Sequence, residues 1–219
     1  MEPGTSDLEP PPERFPSGLV ASGRYREPAE DIPAGTTVLH IGDSFAGALG
    51  IELNKLFKVH GVQGKLKFKV PSYIPGWASG RELSDYLAQY EPDLVLITLG
   101  ANEMEIGDPQ QRAPKIRKLV GRLGDTPCVW IAPALWGKDN GLMDVVRENV
   151  APCRFLDTNQ VVQYMPRAGD KIHPHMSARP DWAELVLRWL ARERAATTEW
   201  PWRLRASTDD KELSTRPPL

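Results

Sequence analysis

Residues 37–45 have the sequence TVLHIGDSF, in which an apolar segment is followed directly by glycine, aspartate and serine. The short apolar run at residues 36–41 predicts a buried β-strand. His40, inside this strand, is expected to be a core histidine with a hydrogen-bond partner. Leucines at helical spacing predict a helix over residues 46–57, so Ser44 would lie where the strand turns into the helix.

The middle of the chain alternates between the same two patterns. Further strands are predicted at residues 66–70, 93–99, 127–132 and 153–157, and further helices at 81–90, 114–123, 141–150 and 182–195. The central strands are apolar on both faces, which is typical of a parallel sheet covered on both sides. The sequence therefore predicts an α/β fold, a three-layer α/β/α sandwich around a five-stranded parallel sheet.

The composition limits the classes of partner. The 219 residues carry a formal net charge of −2 without a basic stripe, which gives no reason to expect a nucleic-acid partner. No apolar stretch reaches 18 residues, so no membrane span is expected. The two cysteines, Cys128 and Cys153, are too few for a disulfide scaffold and are expected to be buried thiols.

Both ends of the chain differ from its middle. Residues 1–34 predict a flexible proline-rich arm, residues 35–196 one domain, and residues 197–219 a tail whose Trp200 and Trp202 dock on the domain or on a neighbour. The first residues lack the features of a signal peptide. We expect a cytoplasmic protein if Met1 is the native start, and an extracytoplasmic one if an export segment was removed. The oligomeric state is left open.

Polar residues follow the strands at places where they could meet. Asn102 comes three residues after the end of the strand at 93–99, and Asp170 and His173 lie in the loop before the last helix. Ligands of such sheets bind beyond the carboxyl ends of the strands, which puts Ser44 and Asn102 at one edge. If the 158–175 loop returns to that edge, the four residues supply a nucleophile, an oxyanion donor, a base and its orienter. Alternatively, Ser44 is an N-cap and Asn102 closes a turn.

Three motifs occur in a familiar order: Gly-Asp-Ser at 42–44, Gly-Ala-Asn at 100–102 and Asp-x-x-His at 170–173. They resemble the blocks of the SGNH hydrolases, also called the GDSL-like lipase/esterase superfamily, over residues 36–195. The resemblance implies that Ser44, His173 and Asp170 form a catalytic triad. It also implies an oxyanion hole made by the Ser44 N–H, the Asn102 side chain and a glycine N–H.

The glycine of that oxyanion hole is assigned to Gly80, with Gly76 as the alternative. One residue departs from the family pattern, because Glu103 stands where an aspartate is usual, and its longer side chain could reshape the pocket. Asp43, beside the nucleophile, is expected to be structural and to hydrogen-bond neighbouring loops.

The residues and the resemblance together predict a serine esterase that hydrolyses small acyl esters, with acetyl esters of carbohydrates as the leading substrate class. Tyr73, Trp77 and Trp136, in loops beyond the strands, are candidate substrate-binding residues. No cofactor or metal is expected, since a pair of histidines at 173 and 175 lacks a third ligand at matching spacing. Two alternatives remain open: an acyltransferase that passes the acyl group to a polysaccharide, and a non-catalytic carbohydrate-binding module.

Overall fold

The computed structural model describes residues 32–162, 165–195 and 201–205. In this part of the chain, parallel strands form one five-stranded sheet: β1 (Thr37–Gly42), β2 (Gln63–Phe68), β3 (Leu94–Thr98), β4 (Cys128–Ile131) and β5 (Arg154–Leu156). The strand order is β2-β1-β3-β4-β5, so the chain moves outward from β1 in both directions. The carboxyl ends of β1 and β3 therefore lie side by side at the point where the order reverses.

Helices cover both faces of this sheet. They are α1 (Ser44–Val59), α2 (Ile74–Ser79), α3 (Glu82–Tyr90), α4 (Ala113–Gly121), α5 (Leu142–Asn149), α6 (Asn159–Val162) and α7 (Arg179–Glu193). Alternate strand residues belong to two separate cores, with Leu39 on the α2–α5 side and Val38 on the side of α1 and α7. The predicted three-layer α/β/α sandwich is thus confirmed.

The edge strand β2 begins three residues before the predicted strand. The start of β2 was not predicted because polar residues interrupt its apolar pattern, with Lys65 and Lys67 on either side of Leu66. The two lysines place their ammonium groups over tyrosine rings of α3. The other face of β2 packs closely against α1. A Cβ on Gly47 would lie only 2.8 Å from the Phe68 ring, so the small residue lets the strand approach the helix.

Gly42 makes the turn from β1 into α1 possible. Its φ is +156°, and a Cβ built on it would lie 2.0 Å from the carbonyl oxygen of Thr98 on β3. The next residue, Asp43, donates its backbone N–H to the same carbonyl at 3.2 Å. Only glycine permits this close approach of the two strand ends, which fixes where Ser44 leaves the sheet.

The two cysteines form a disulfide between Cys128 and Cys153, so the expectation of two free thiols was wrong. Cys128 begins β4, and Cys153 directly precedes β5, the neighbouring parallel strand. The pairing of these strands brings the two Cα atoms within 4.6 Å. Spacing along the sequence could not reveal this contact, because it depends on which strands are neighbours.

Residues near both ends of the described chain pack on the domain. Trp202 is fully buried, its indole N–H donates to Thr36 Oγ1 at 2.9 Å, and its ring meets Phe57 edge-on. Trp200 and residues 1–31 of the expected arm lie outside the described residues. Among the helices that the structure describes, none is long and apolar enough to cross a bilayer.

The disulfide gives a direct chemical prediction. Alkylation of the unfolded, unreduced protein should modify no cysteine, whereas alkylation after reduction should modify both. The Cys128→Ala/Cys153→Ala double variant should unfold with a free energy lower by about 3 kcal/mol, because the 25-residue loop is no longer closed in the unfolded chain. Mass spectrometry and urea unfolding measure the two effects. Two alkylated cysteines without reduction would contradict the assignment.

His40 predicts a pH-dependent stability. It is buried in β1, its Nε2 pairs with Thr98 Oγ1 at 2.9 Å, and burial lowers its pKa to about 3. Below about pH 6.5, His40 is therefore protonated in the unfolded chain but stays neutral in the folded protein, so the free energy of unfolding falls as the pH falls.

His40→Gln keeps a polar partner for Thr98 but removes this titration. Between about pH 7 and about pH 5.5, the wild type should lose about 1 kcal/mol more unfolding free energy than the variant does. Asp43 titrates in both proteins, so its contribution cancels in the difference. Urea unfolding at the two pH values measures it, and equal losses would show that His40 does not titrate as described.

Candidate active site

Three side chains form a continuous hydrogen-bonded chain at the carboxyl edge of the sheet. The Oγ of Ser44 lies 2.8 Å from Nε2 of His173, and Nδ1 of the same imidazole lies 2.6 Å from Oδ2 of Asp170. The structure thus brings together the three residues predicted as a triad. With Nδ1–H donating to the carboxylate, Nε2 is left as an acceptor for the serine proton.

Ser44 is the first residue of α1, and its position is set by Asp43 rather than by its own capping. The buried Asp43 is the N-cap residue, and its Oδ1 accepts the Phe45 N–H at 2.8 Å. Burial raises the pKa of Asp43 to about 7, and the nearby Glu103 also raises it. The Ser44 hydroxyl is therefore not needed as a cap, and among the described residues its N–H has no acceptor.

The loop that carries His173 is folded back on itself. His175 N–H donates to Pro166 O and Ala168 N–H to His173 O, both at 2.8 Å. Arg167 fastens this loop to the one after β4, since its guanidinium donates to Ala134 O at 2.7 Å and to Ile172 O at 3.1 Å. Arg167 was not among the residues predicted from the sequence, where its only signal is a basic residue close to the predicted base.

Asp170 is organised by the backbone of its own loop. Its Oδ1 accepts the N–H groups of Ile172 at 2.9 Å and of His173 at 3.0 Å, while its Oδ2 faces the imidazole. The hydrogen bond from His173, with those backbone bonds, lowers the pKa of Asp170 to about 2. The group is therefore a carboxylate at neutral pH and holds the ring in one tautomer.

Asn102 lies just beyond β3, in the short turn Ala101–Glu103. Gly100 begins the turn with a φ of +120°. The Asn102 side-chain amide donates to Ser72 O at 2.9 Å, which leaves its second N–H for another acceptor. Asn102 therefore joins the end of β3 to the segment after β2.

Gly80 does not fit the role predicted for it. Its N–H donates to Gly76 O at 2.7 Å at the end of α2, a helix that was predicted as loop. The alternative, Gly76, donates its own N–H to Tyr73 O at 3.1 Å. Among the described residues, the N–H groups of Tyr73, directly before α2, and of its neighbour Ser72 have no acceptor, whereas the Ile74 N–H is bonded to Glu103.

The three candidate aromatic residues differ in their surroundings. Trp136 is 38% exposed, and its ring stacks on the Phe45 ring. The centroids of the Phe45 and His173 rings are 5.2 Å apart. Tyr73 is exposed as well. Trp77 is buried in the core, with its indole N–H on Ser72 Oγ at 3.1 Å, so it is not placed to contact a substrate.

Phe45 was also missed, although it directly follows the predicted nucleophile. Its ring contacts both the Trp136 ring and the His173 imidazole, so this side of the site is apolar. No group of three or more ligating side chains suited to a metal ion occurs within the residues that the structure describes.

The difference between the two tryptophans can be measured as stability. Trp77→Ala should lower the unfolding free energy by about 3–5 kcal/mol, because it empties a buried site. Trp136→Ala should change it by less than about 1 kcal/mol, because half-exposed surface rings contribute little to the core. Urea unfolding of both variants measures this. Similar losses would show that Trp136 is part of the core rather than of an open wall.

No protein-family model matches the sequence, and a search of curated proteins found no match. Solved structures do match. An acetyl xylan esterase, AlAXEase, matches with a TM-score of 0.60 at 15% identity, covering 70% of this chain and 99% of that chain. TesA matches with a TM-score of 0.57 at 23% identity, covering 70% and 97%.

A catalytic mutant of Axe2, an acetylxylan esterase from Geobacillus stearothermophilus, matches with a TM-score of 0.52 at 17% identity, covering 73% of this chain and 95% of that chain. At these identities the likeness concerns the fold. About 70% of this chain thus matches nearly the full length of each of these proteins, and the fold expected from the resemblance to SGNH hydrolases is the one observed.

Proposed function

We propose that the protein is a serine esterase in which Ser44 attacks the carbonyl carbon of a small acyl ester. The observation that carries this proposal is the unbroken hydrogen-bonded chain from Ser44 Oγ through His173 to Asp170. Such a chain is what activates a serine hydroxyl that is otherwise a weak nucleophile.

The reaction follows from these contacts. His173 Nε2 takes the hydroxyl proton as Ser44 Oγ bonds to the carbonyl carbon, and it then gives that proton to the departing alcohol. The ionised Asp170 stabilises the imidazolium that forms in between. A water molecule, activated by the same imidazole, then attacks the acyl-enzyme and releases the acid and free Ser44.

The negative oxygen that forms during attack needs donors near Ser44. Two come from the predicted set: the N–H of Ser44 itself and the second N–H of the Asn102 amide. In place of Gly80, whose N–H is already bonded, the Tyr73 N–H is the third donor in this proposal. Each well-placed donor of this kind contributes roughly 3 kcal/mol to the transition state.

The surroundings of the triad support hydrolysis. The side chains of His173 and Asp170 are 32% and 46% exposed, so water reaches the acyl-enzyme readily. This favours hydrolysis over transfer to a polysaccharide. Acetyl groups on carbohydrate remain the leading substrate class, since two of the fold neighbours are acetylxylan esterases and the exposed rings of Tyr73 and Trp136 can stack on sugars.

The disulfide bears on where the reaction would take place. Structural disulfides such as Cys128–Cys153 form and persist in oxidising compartments. Of the two compartments left open by the sequence, the extracytoplasmic one is therefore our proposal.

The proposal predicts that a fluorophosphonate probe labels the wild type at Ser44. Labelling should vanish in Ser44→Ala and fall sharply in His173→Ala, because the hydroxyl is not deprotonated without its base. Asp170→Asn should lower kcat on p-nitrophenyl acetate by at least about 100-fold with little loss of stability, because it disturbs the imidazole tautomer.

Labelling is read by mass spectrometry, with circular dichroism to show that each variant is folded. Folded wild type without any label would support the non-catalytic carbohydrate-binding alternative and end the proposal. Acyl release that needs added oligosaccharide would instead support the acyltransferase. p-Nitrophenyl esters of increasing chain length, run beside acetylated polysaccharides, define the acyl and alcohol parts.

A further inference from the structure

Asn102 and Glu103 bind the two sides of one short segment. Asn102 Nδ2 donates to Ser72 O at 2.9 Å, and Glu103 Oε1 accepts the Ile74 N–H at 2.7 Å. The residue between these two contacts is Tyr73. Its peptide N–H is therefore held at a fixed place between two anchors that both come from the turn after β3.

We infer that Glu103 is a positioning residue that holds segment 72–74 so that the Tyr73 N–H serves as an oxyanion donor. This inference rests on the proposed esterase function. Glu103 itself does not touch the reacting atoms in this account, and its effect passes through the Ile74 N–H and the start of α2.

Glu103 is buried away from water, so its position needs an explanation other than contact with solvent. The residue is fully buried, a rare state for a glutamate, and its cationic neighbour Arg112 lies 3.6 Å away at Nε. Its Oε2 has no hydrogen-bond partner in the described part of the chain. Burial raises the pKa of Glu103, and Arg112 opposes that shift.

The turn that carries Glu103 is itself fixed. Asn140 Nδ2 donates to Glu103 O at 3.0 Å and to Ile106 O at 3.1 Å, and Glu103 N–H donates to Gly100 O at 3.1 Å. These hydrogen bonds fix the turn from which the Glu103 carboxylate projects. The longer side chain, noted from the sequence as a departure, reaches from this turn to the first N–H of α2.

Three variants separate positioning from charge pairing. Glu103→Met removes the acceptor for the Ile74 N–H, and Glu103→Gln keeps an acceptor oxygen without the charge. Arg112→Met is the matched control, because it removes the ion-pair partner and leaves the Ile74–Glu103 bond. The readouts are kcat and KM on p-nitrophenyl acetate, and Ki for a trifluoromethyl ketone, whose adduct with Ser44 carries a negative oxygen.

Glu103→Met should lower kcat about ten-fold or more and raise Ki by a similar factor, with KM within two-fold, because the donor acts on the oxyanion and not on the bound ester. Glu103→Gln and Arg112→Met should retain kcat and Ki within about three-fold. A kcat loss in Glu103→Met with an unchanged Ki, or equal losses in Arg112→Met, would overturn the inference.

A backbone change covers the case in which Glu103→Met does not fold. Replacing the residue-74 amide by an ester removes the N–H that Glu103 accepts, and it should give the same parallel change in kcat and Ki. The matched control is an ester at Asn159, whose N–H also donates to a carboxylate, Asp157 Oδ1, at 3.0 Å. Equal effects of the two esters would overturn the inference.

These outcomes are distinct from those that test the esterase itself. If fluorophosphonate labels Ser44 of the wild type while the Glu103 variants and the residue-74 ester behave as the wild type, only the positioning role fails. If folded wild type is not labelled, both the esterase and the positioning role fail.

Discussion

The hydrogen bond between Ser44 and His173 joins two parts of the chain that are 129 residues apart. Each side of this contact is prepared by local structure. On the serine side, Gly42 lets β1 approach β3, and Asp43 caps α1 so that Ser44 projects from the first turn. On the histidine side, Arg167 ties the returning loop to the loop after β4. The strand order makes this contact possible, because it places β1 in the interior of the sheet, where loops from both directions converge.

Two buried carboxyl groups fix the helix starts at the site. Asp43 organises the start of α1, and Glu103 organises the start of α2, and burial raises the pKa of both. Each carries one oxygen without a hydrogen-bond partner within the described residues. Burying such groups is unfavourable unless they are bonded, so their presence beside the triad indicates that the site tolerates a local loss of stability for the sake of geometry.

Much of the fold could be read from the sequence because the strands β1, β3 and β4 are apolar on both faces and short. β2 was misplaced because, at the sheet edge, its alternating lysines cover tyrosine rings and do not give an apolar run. The helix α2 was missed because its six residues contain Pro75 and Gly76, which are typical of loops. The disulfide was missed because it depends on which strands are neighbours.

In the candidate site too, some residues could be predicted from the sequence and others could not. Ser44, Asn102, Asp170 and His173 could be named because each lies in a short motif at the end of a strand or before a helix. Gly80 was chosen for its residue type, but an oxyanion donor is a backbone N–H, which any residue other than proline supplies. Which N–H is unoccupied depends on where α2 begins, and this cannot be read from side-chain identity. Trp77 was chosen as an aromatic residue in a supposed loop, and the helix turns it into the core.

The most direct test of the central contact is the protonation pattern of His173 in the resting protein, measured by NMR with isotope-labelled histidine. In the neutral form of the ring we expect the proton on Nδ1, seen as a strongly deshielded resonance that is lost in Asp170→Asn, while Nε2 behaves as an acceptor whose shift changes in Ser44→Ala. A neutral ring protonated on Nε2, insensitive to both substitutions, would contradict it.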